Sequence, residues 1–120
     1  MHVPEVYERI SSKRIIVMEY AEGVKINEPE KMKDLNLDTR VVAKNLVDIF
    51  GKMIFKYGFV HCDAHPGNIL VAKANNNKGH KIILLDHGLY RTLDREVVIN
   101  FSHLWKALIL SDRQNLEKYA

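Results

Sequence analysis

Residues 59–70, F-V-H-C-D-A-H-P-G-N-I-L, and residues 84–88, L-L-D-H-G, hold the side chains whose types and spacing could do chemistry. Asp63 and Asn68 stand five positions apart, and Asp86 follows eighteen positions after Asn68. Phosphoryl transfer needs two oxygen ligands to hold Mg²⁺ against the phosphates and a separate carboxylate to orient the attacking hydroxyl or water. Asn68 and Asp86 are the candidate metal ligands, and Asp63 is the candidate catalytic carboxylate. His65 sits close enough in sequence to donate a hydrogen bond to a phosphate.

The order His, any residue, Asp, four residues, Asn, and then Asp, any residue, Gly after a short hairpin is that of the protein-kinase template. His61, Asp63, Asn68, Asp86 and Gly88 satisfy it position by position. Taken singly, each has a plainer explanation: Asp86 as a strand-end turn former, Asn68 as a turn former after Pro66 and Gly67. Neither accounts for the shared spacing. Zinc is the competing chemistry, because His61, His65 and His87 lie near Cys62 and Asp63. Against it, ligands on an extended loop point in different directions, and the chain has a single Cys. His61 reads more simply as a packing histidine that braces the loop.

These residues need elements to hold them. Val42, Leu46, Ile49, Phe50, Met53, Ile54 and Tyr57 recur at helical spacing before the motif, with Asp38 as N-cap, Leu37 and Val42 as a hydrophobic staple, and Gly58 as a left-handed C-terminal cap. Strands are predicted at residues 69–72 and 82–85, joined by a turn at 75–79, so that a hairpin brings Asn68 and Asp86 together. Residues 3–10 and 14–20 read as a further hairpin about Ser11, Ser12 and Lys13. Residues 23–36 read as a connector with one helical turn. Val97, Val98, Phe101, Leu104, Trp105 and Leu108 predict a helix capped by Asp94 or Thr92, and Ser111 with Gln114 has the spacing of a capping box that opens another.

The second strand of the first hairpin leads into V-M-E-Y-A-E-G at residues 17–23. In a kinase this place is the hinge, where backbone groups pair with the adenine edge. Met18, Glu19, Tyr20 and Ala21 are therefore the candidate nucleotide-binding residues, with Met18 gating the space behind.

With 120 residues, 47% of them hydrophobic, the chain can build one real core, which excludes wholesale disorder. Eighteen basic and fifteen acidic residues give a formal charge of +3 spread along the chain, so charge implies no nucleic-acid partner. Cys62 cannot form an internal disulfide and fits a reducing compartment. No run of about 20 apolar residues could cross a bilayer, and no targeting segment is visible at the start.

On V-P-E-V-Y near the start, S-S-K-R-I-I-V-M-E-Y-A-E-G at the hinge, G-F-V-H-C-D-A-H-P-G-N-I-L in the catalytic loop and L-L-D-H-G-L-Y-R at the triplet, the chain resembles the UbiB family, the aarF-domain-containing (ADCK) atypical kinases. His87 in place of the usual Phe is similar to a mitochondrial branch of that family. Ala64 departs from the Pro commonly found there, a mild change in loop stiffness. The resemblance implies an α+β, protein-kinase-like fold: residues 1–23 as the end of the N-lobe, with its last hairpin and the hinge, and residues 24–120 as an incomplete helical C-lobe. It implies ATP and Mg²⁺ as cofactors. It also implies ATPase activity or small-molecule or lipid-linked phosphotransfer in support of mitochondrial quinone or lipid homeostasis, with membrane association through the parent protein. A small-molecule kinase of the aminoglycoside phosphotransferase or choline kinase type uses the same loop and triplet and is the alternative. A non-catalytic nucleotide-binding scaffold is the reading from another class.

Two absences bear on this. No Gly-rich or Ala-rich nucleotide loop, strand Lys, partner Glu or K-x-G-Q signature is found, so the N-lobe is expected to be missing before its fourth strand and the 120-residue chain to be inactive alone. Only residues 89–93 separate Gly88 from the next helix, with no A-P-E, so no long activation segment exists on which a protein substrate could lie. Cys62 stands where an Arg would bind a phosphorylated activation loop.

Overall fold

The computed structural model describes residues 1–74 and 79–119. The chain groups into two units, Met1–Val47 with Asp63–Gly88, and Asp48–Cys62 with Leu89–Ala120.

The first unit is built on a three-stranded antiparallel sheet in which β3 (Ile69–Lys73) lies between β1 (Val24–Lys25) and β4 (His80–Leu84). The β3–β4 register pairs Ile69 with Leu84, Val71 with Ile82 and Lys73 with His80. Its residues are β-branched and apolar, and Ile69, Val71, Ile82, Ile83 and Leu84 are all buried. The turn expected at 75–79 falls on residues 75–78, which lie outside the described residues. Helix α1 (Pro29–Asp34) starts on a proline, whose missing N–H costs nothing in a first turn. Helix α2 (Thr39–Gly51) begins in this unit behind Asp38, whose Oδ1 accepts from the Arg40 and Val41 amides at 2.8 and 3.4 Å. Met32 of α1, Leu37, Val42 of α2 and Val71 of β3 form the core cluster, so the staple across the cap is present.

In the second unit the predicted helix runs on from α2 as a wider π-helical turn, Lys52–Tyr57, and ends at Gly58, whose φ of 58° is the left-handed cap. Strand β2 (Phe59–His61) pairs antiparallel with β5 (Tyr90–Thr92), followed by α3 (Arg95–Leu110) and α4 (Arg113–Tyr119). Phe59 stacks on Tyr90 at 4.7 Å, and Phe55 on Phe101 at 5.6 Å. Of α3 only Ala107 is buried, and Val97, Phe101, Trp105 and Leu108 are exposed.

Several expectations need correction. Residues 3–10 and 14–20 do pair antiparallel, but only as isolated bridges, Val6 with Met18 and Ser12 with Ile15, and Glu8–Ile10 coils into a 3₁₀ turn. The reason is local: the Ser11 hydroxyl donates to the Tyr7 carbonyl at 2.9 Å and accepts from the Val17 amide at 3.0 Å, taking backbone positions that a ladder would need. Residues 23–36 are more than a connector, because β1 joins the sheet there. A two-residue strand has no period to read and exists through its partner β3. Two strands that the sequence did not signal, β2 and β5, flank the motif. The last helix is capped by Asp112, whose Oδ1 accepts from the Asn115 amide at 3.2 Å, while Ser111 is the left-handed residue ending α3 at φ 53°.

Replacing Asp38 with Ala should lower the unfolding free energy by about 1 kcal/mol, measured by urea denaturation, whereas Asp38→Asn should retain most of it. An Ala variant with the wild-type midpoint would show that the cap contributes nothing.

Candidate functional site

The β3–β4 ladder dictates where the site forms. Asn68 immediately precedes β3, and Leu84, the last residue of β4, is paired with Ile69. One further bond extends the ladder, from the Leu85 amide to the Asn68 carbonyl at 2.9 Å. Asn68 and Asp86 therefore emerge side by side, with Asn68 Nδ2 3.4 Å from Asp86 Oδ2. That separation is long for a hydrogen bond. An amide oxygen facing a carboxylate would be repelled, which is why the nitrogen is presented. The same amide offers an oxygen to a cation.

The H-P-G-N segment is a self-stapled turn. His65 is extended, as a residue before proline prefers (φ −78°, ψ 157°), and Pro66 opens the 3₁₀ turn Pro66–Asn68. His65 Nδ1 accepts from the Gly67 amide at 3.1 Å, and in the neutral ring this leaves the proton on Nε2. A Cβ at residue 67 would sit 2.8 Å from His65 Cε1, so the ring keeps this position only beside a glycine. Upstream, the His65 amide donates to the Asp63 carbonyl at 3.0 Å, which ties the candidate catalytic residue to the same turn. Asp63 itself is exposed. On the other side, Asp86 Oδ1 accepts from the Gly88 amide at 2.8 Å, and the His87 ring reaches the Leu84 carbonyl at 3.0 Å.

The residues weighed for zinc are differently employed. His61 belongs to the second unit, where it is buried with its ring tilted 59° against Tyr90 at 4.9 Å, and burial raises the Tyr90 phenol above its ordinary value. His65 and His87 hydrogen-bond local backbone, and Cys62 Sγ is 3.6 Å from the Val60 carbonyl. Among the described residues no group of three or more His, Cys, Asp or Glu is placed to hold a metal ion. Asn68 and Asp86 nevertheless fit Mg²⁺, which takes one or two protein oxygens and completes its shell with phosphate and water.

Of the hinge residues, Met18 bridges to Val6, and the Glu19 amide donates to the Glu5 carbonyl at 2.8 Å. The Glu19 carboxylate accepts from the Glu5 amide at 3.2 Å and meets His2 Nε2 at 2.9 Å. The Glu5 amide foremost, and His2 after it, hold Glu19 below the usual carboxylate range against the opposing effect of burial. His2 was not singled out by its sequence context. Its backbone also pairs with β4 at Ile83, so this one residue fastens the hinge segment to the sheet that carries Asp86. Tyr20, Ala21 and Glu22 make no hydrogen bond to another backbone group among the described residues. With Glu19, Lys73 and Lys81 they line a cleft of about 570 Å³ that Asp63, Asn68 and Asp86 do not line.

Gly67→Ala should break the His65–Gly67 bond by pushing an exposed ring aside. The expected result is faster amide hydrogen exchange at residue 67 with a stability loss under about 1 kcal/mol. Unchanged exchange at that amide would show that the bond is unimportant.

Over residues 1–120 the chain matches the family described as the ABC1 atypical kinase-like domain. "AarF domain-containing protein kinase 1" of Xenopus laevis is 42% identical over 120 residues, covering 100% of this chain and 23% of that protein. The Mus musculus protein of the same name is 39% identical, with the same coverage of both chains. "Probable serine/threonine-protein kinase abkB" of Dictyostelium discoideum is 43% identical over 100% of this chain and 18% of its own length. The chain spans less than a quarter of these relatives. Its mixture of helices and antiparallel sheet fits an α+β kinase-like fold, and the chain belongs to the ABC1 atypical kinase family.

Proposed function

We propose that this chain is the catalytic-loop portion of an ATP- and Mg²⁺-dependent phosphotransferase or ATPase. The observation that carries the reading is the convergence of Asn68 and Asp86 at the joined ends of β3 and β4, with Asp63 on the preceding turn. In this reading Asn68 and Asp86 hold Mg²⁺ against the phosphates, and the ion supplies neutralisation of charge that develops on the transferring group. Asp63 accepts a hydrogen bond from the attacking hydroxyl or water and aligns it. His65, with Nδ1 committed to the Gly67 amide, has its Nε2–H as the phosphate donor. Met18, Glu19, Tyr20 and Ala21 take the adenine edge, a role supported by the backbone groups of Tyr20 and Ala21 that no other backbone group engages among the described residues.

The lobe assignment follows the same frame, with residues 1–23 as the end of an N-lobe and hinge and residues 24–120 as C-lobe. Water or a small or lipid-linked molecule is the proposed acceptor, although abkB carries the name of a serine/threonine kinase. The support is the shortness of the segment after Gly88: three of its residues, Tyr90–Thr92, are committed to pairing with β2, which leaves no free stretch for a peptide substrate. A role in mitochondrial quinone or lipid homeostasis, with membrane association through other parts of the protein, is proposed on the family resemblance. No helix among the described residues is long and apolar enough to cross a membrane.

In the complete protein Asp86→Asn should weaken Mg²⁺-dependent ATP binding on the order of tenfold or more, since even outer-shell partners of metal ligands are worth that much. A thermal-shift titration reads it, and an unaltered Mg²⁺-dependent shift would remove Asp86 from the site. Radiolabelled ATP should yield free phosphate or a labelled small molecule, lost on Asp63→Ala. Efficient Asp63-dependent labelling of a protein in trans would overturn the choice of acceptor.

A further inference from the structure

We propose that His87 is a positioning residue of this site: its ring, hydrogen-bonded to the carbonyl of Leu84, holds the Asp-His-Gly turn so that Asp86 stays beside Asn68. The inference rests on the reading of Asp86 as a metal ligand and adds a residue to which that reading gives no role.

Leu84 is the last residue of β4, buried and paired with Ile69, so its carbonyl is as fixed as any group in the sheet. A carbonyl oxygen can only accept, and the contact of 3.0 Å therefore requires a proton on His87 Nε2. The bond spans three residues and closes a ring over Leu85 and Asp86. Within that ring the Leu85 amide donates to the Asn68 carbonyl at 2.9 Å, and beyond it the Gly88 amide donates to Asp86 Oδ1 at 2.8 Å. The Asp86 backbone is thus held from the strand side by Leu85 and His87, and its carboxylate from the far side by Gly88. An apolar residue at position 87 would hold this turn by burying its side chain, but residue 87 is exposed. The anchor here is a directional hydrogen bond to the strand, which a side chain of equal bulk without a donor cannot replace.

Geometry also names the variant that restores it. In Gln the amide nitrogen stands the same number of bonds from Cα as His Nε2, whereas in Asn it stands one bond closer, and Phe keeps the ring without the donor. A net hydrogen-bond contribution of about 0.5–1.5 kcal/mol corresponds to roughly 2- to 10-fold in affinity. In the complete protein, His87→Phe and His87→Asn should therefore raise the Kd for Mg²⁺-ATP, or its KM where turnover is measured, by about 3- to 10-fold. His87→Gln should return it to within about twofold of wild type, less than the loss of one such bond. A variant that weakened only the fold would lower the melting temperature without nucleotide and leave the Kd of the folded protein for Mg²⁺-ATP as in wild type, so the affinity and its return in His87→Gln are what report positioning. Asp86→Asn is measured alongside. If that variant loses Mg²⁺-ATP while His87→Phe binds as wild type, His87 does not position the turn. If His87→Gln is as weak as His87→Phe, the bond is not the cause and the inference fails. If Asp86→Asn itself binds normally, the metal-site reading falls and the role of His87 falls with it.

Discussion

Burial of the β3–β4 ladder determines where the chemistry can be. Successive side chains of a strand face opposite ways, so slipping β4 by one residue along β3 would exchange its two faces. Ile82, Ile83 and Leu84 are all buried, and so are Ile69 and Val71, which pair with Leu84 and Ile82. Moving their partners by one position would also carry Asp86 about 3.3 Å along the strand, away from Asn68. The contacts that hold the core in register are thus the contacts that hold Asn68 beside Asp86.

Around that ladder, the polar side chains of the site bond chiefly to their own loops. His65 caps the turn that follows it, Asp86 caps its own Gly, and His87 returns to the end of its own strand. Such short-range bonds order few extra residues; the one at His65 uses Nδ1 and not Nε2, and the second carboxylate oxygen of Asp86 faces Asn68. The hinge segment follows the opposite rule. It is fastened at long sequence range, by His2 to the Glu19 carboxylate across seventeen residues and by the Glu19 amide to the Glu5 carbonyl, and Tyr20 and Ala21 make no hydrogen bond to another backbone group among the described residues.

The second unit contributes differently. His61 opens the motif in sequence, yet it lies in the β2–β5 ribbon against Tyr90, in a cluster that also stacks Phe59. Its burial there is by aromatic packing, and the same β2–β5 pairing takes up residues 90–92 of the short segment after Gly88.

Much of this could be read from residue types because it depends on neighbours in sequence. The 3.6-residue period and the Asp38 cap located α2, short apolar β-branched runs located β3 and β4, and H-P-G-N with D-H-G pointed to Asp63, Asn68 and Asp86 as candidates from their spacing. What escaped was set by partners far along the chain. The two-residue β1 and the three-residue β2 and β5 are too short to carry a period and exist only because β3, or each other, offers a ladder. The hairpin at the start was misread in the opposite direction: its antiparallel pairing is present, but one serine hydroxyl outcompetes the ladder for backbone groups. Local free-energy preferences are written into the residues that express them. The pairing of His2 with Ile83, and the 3.4 Å approach of Asn68 to Asp86, depend on which distant groups are buried together, and only the folded chain decides that.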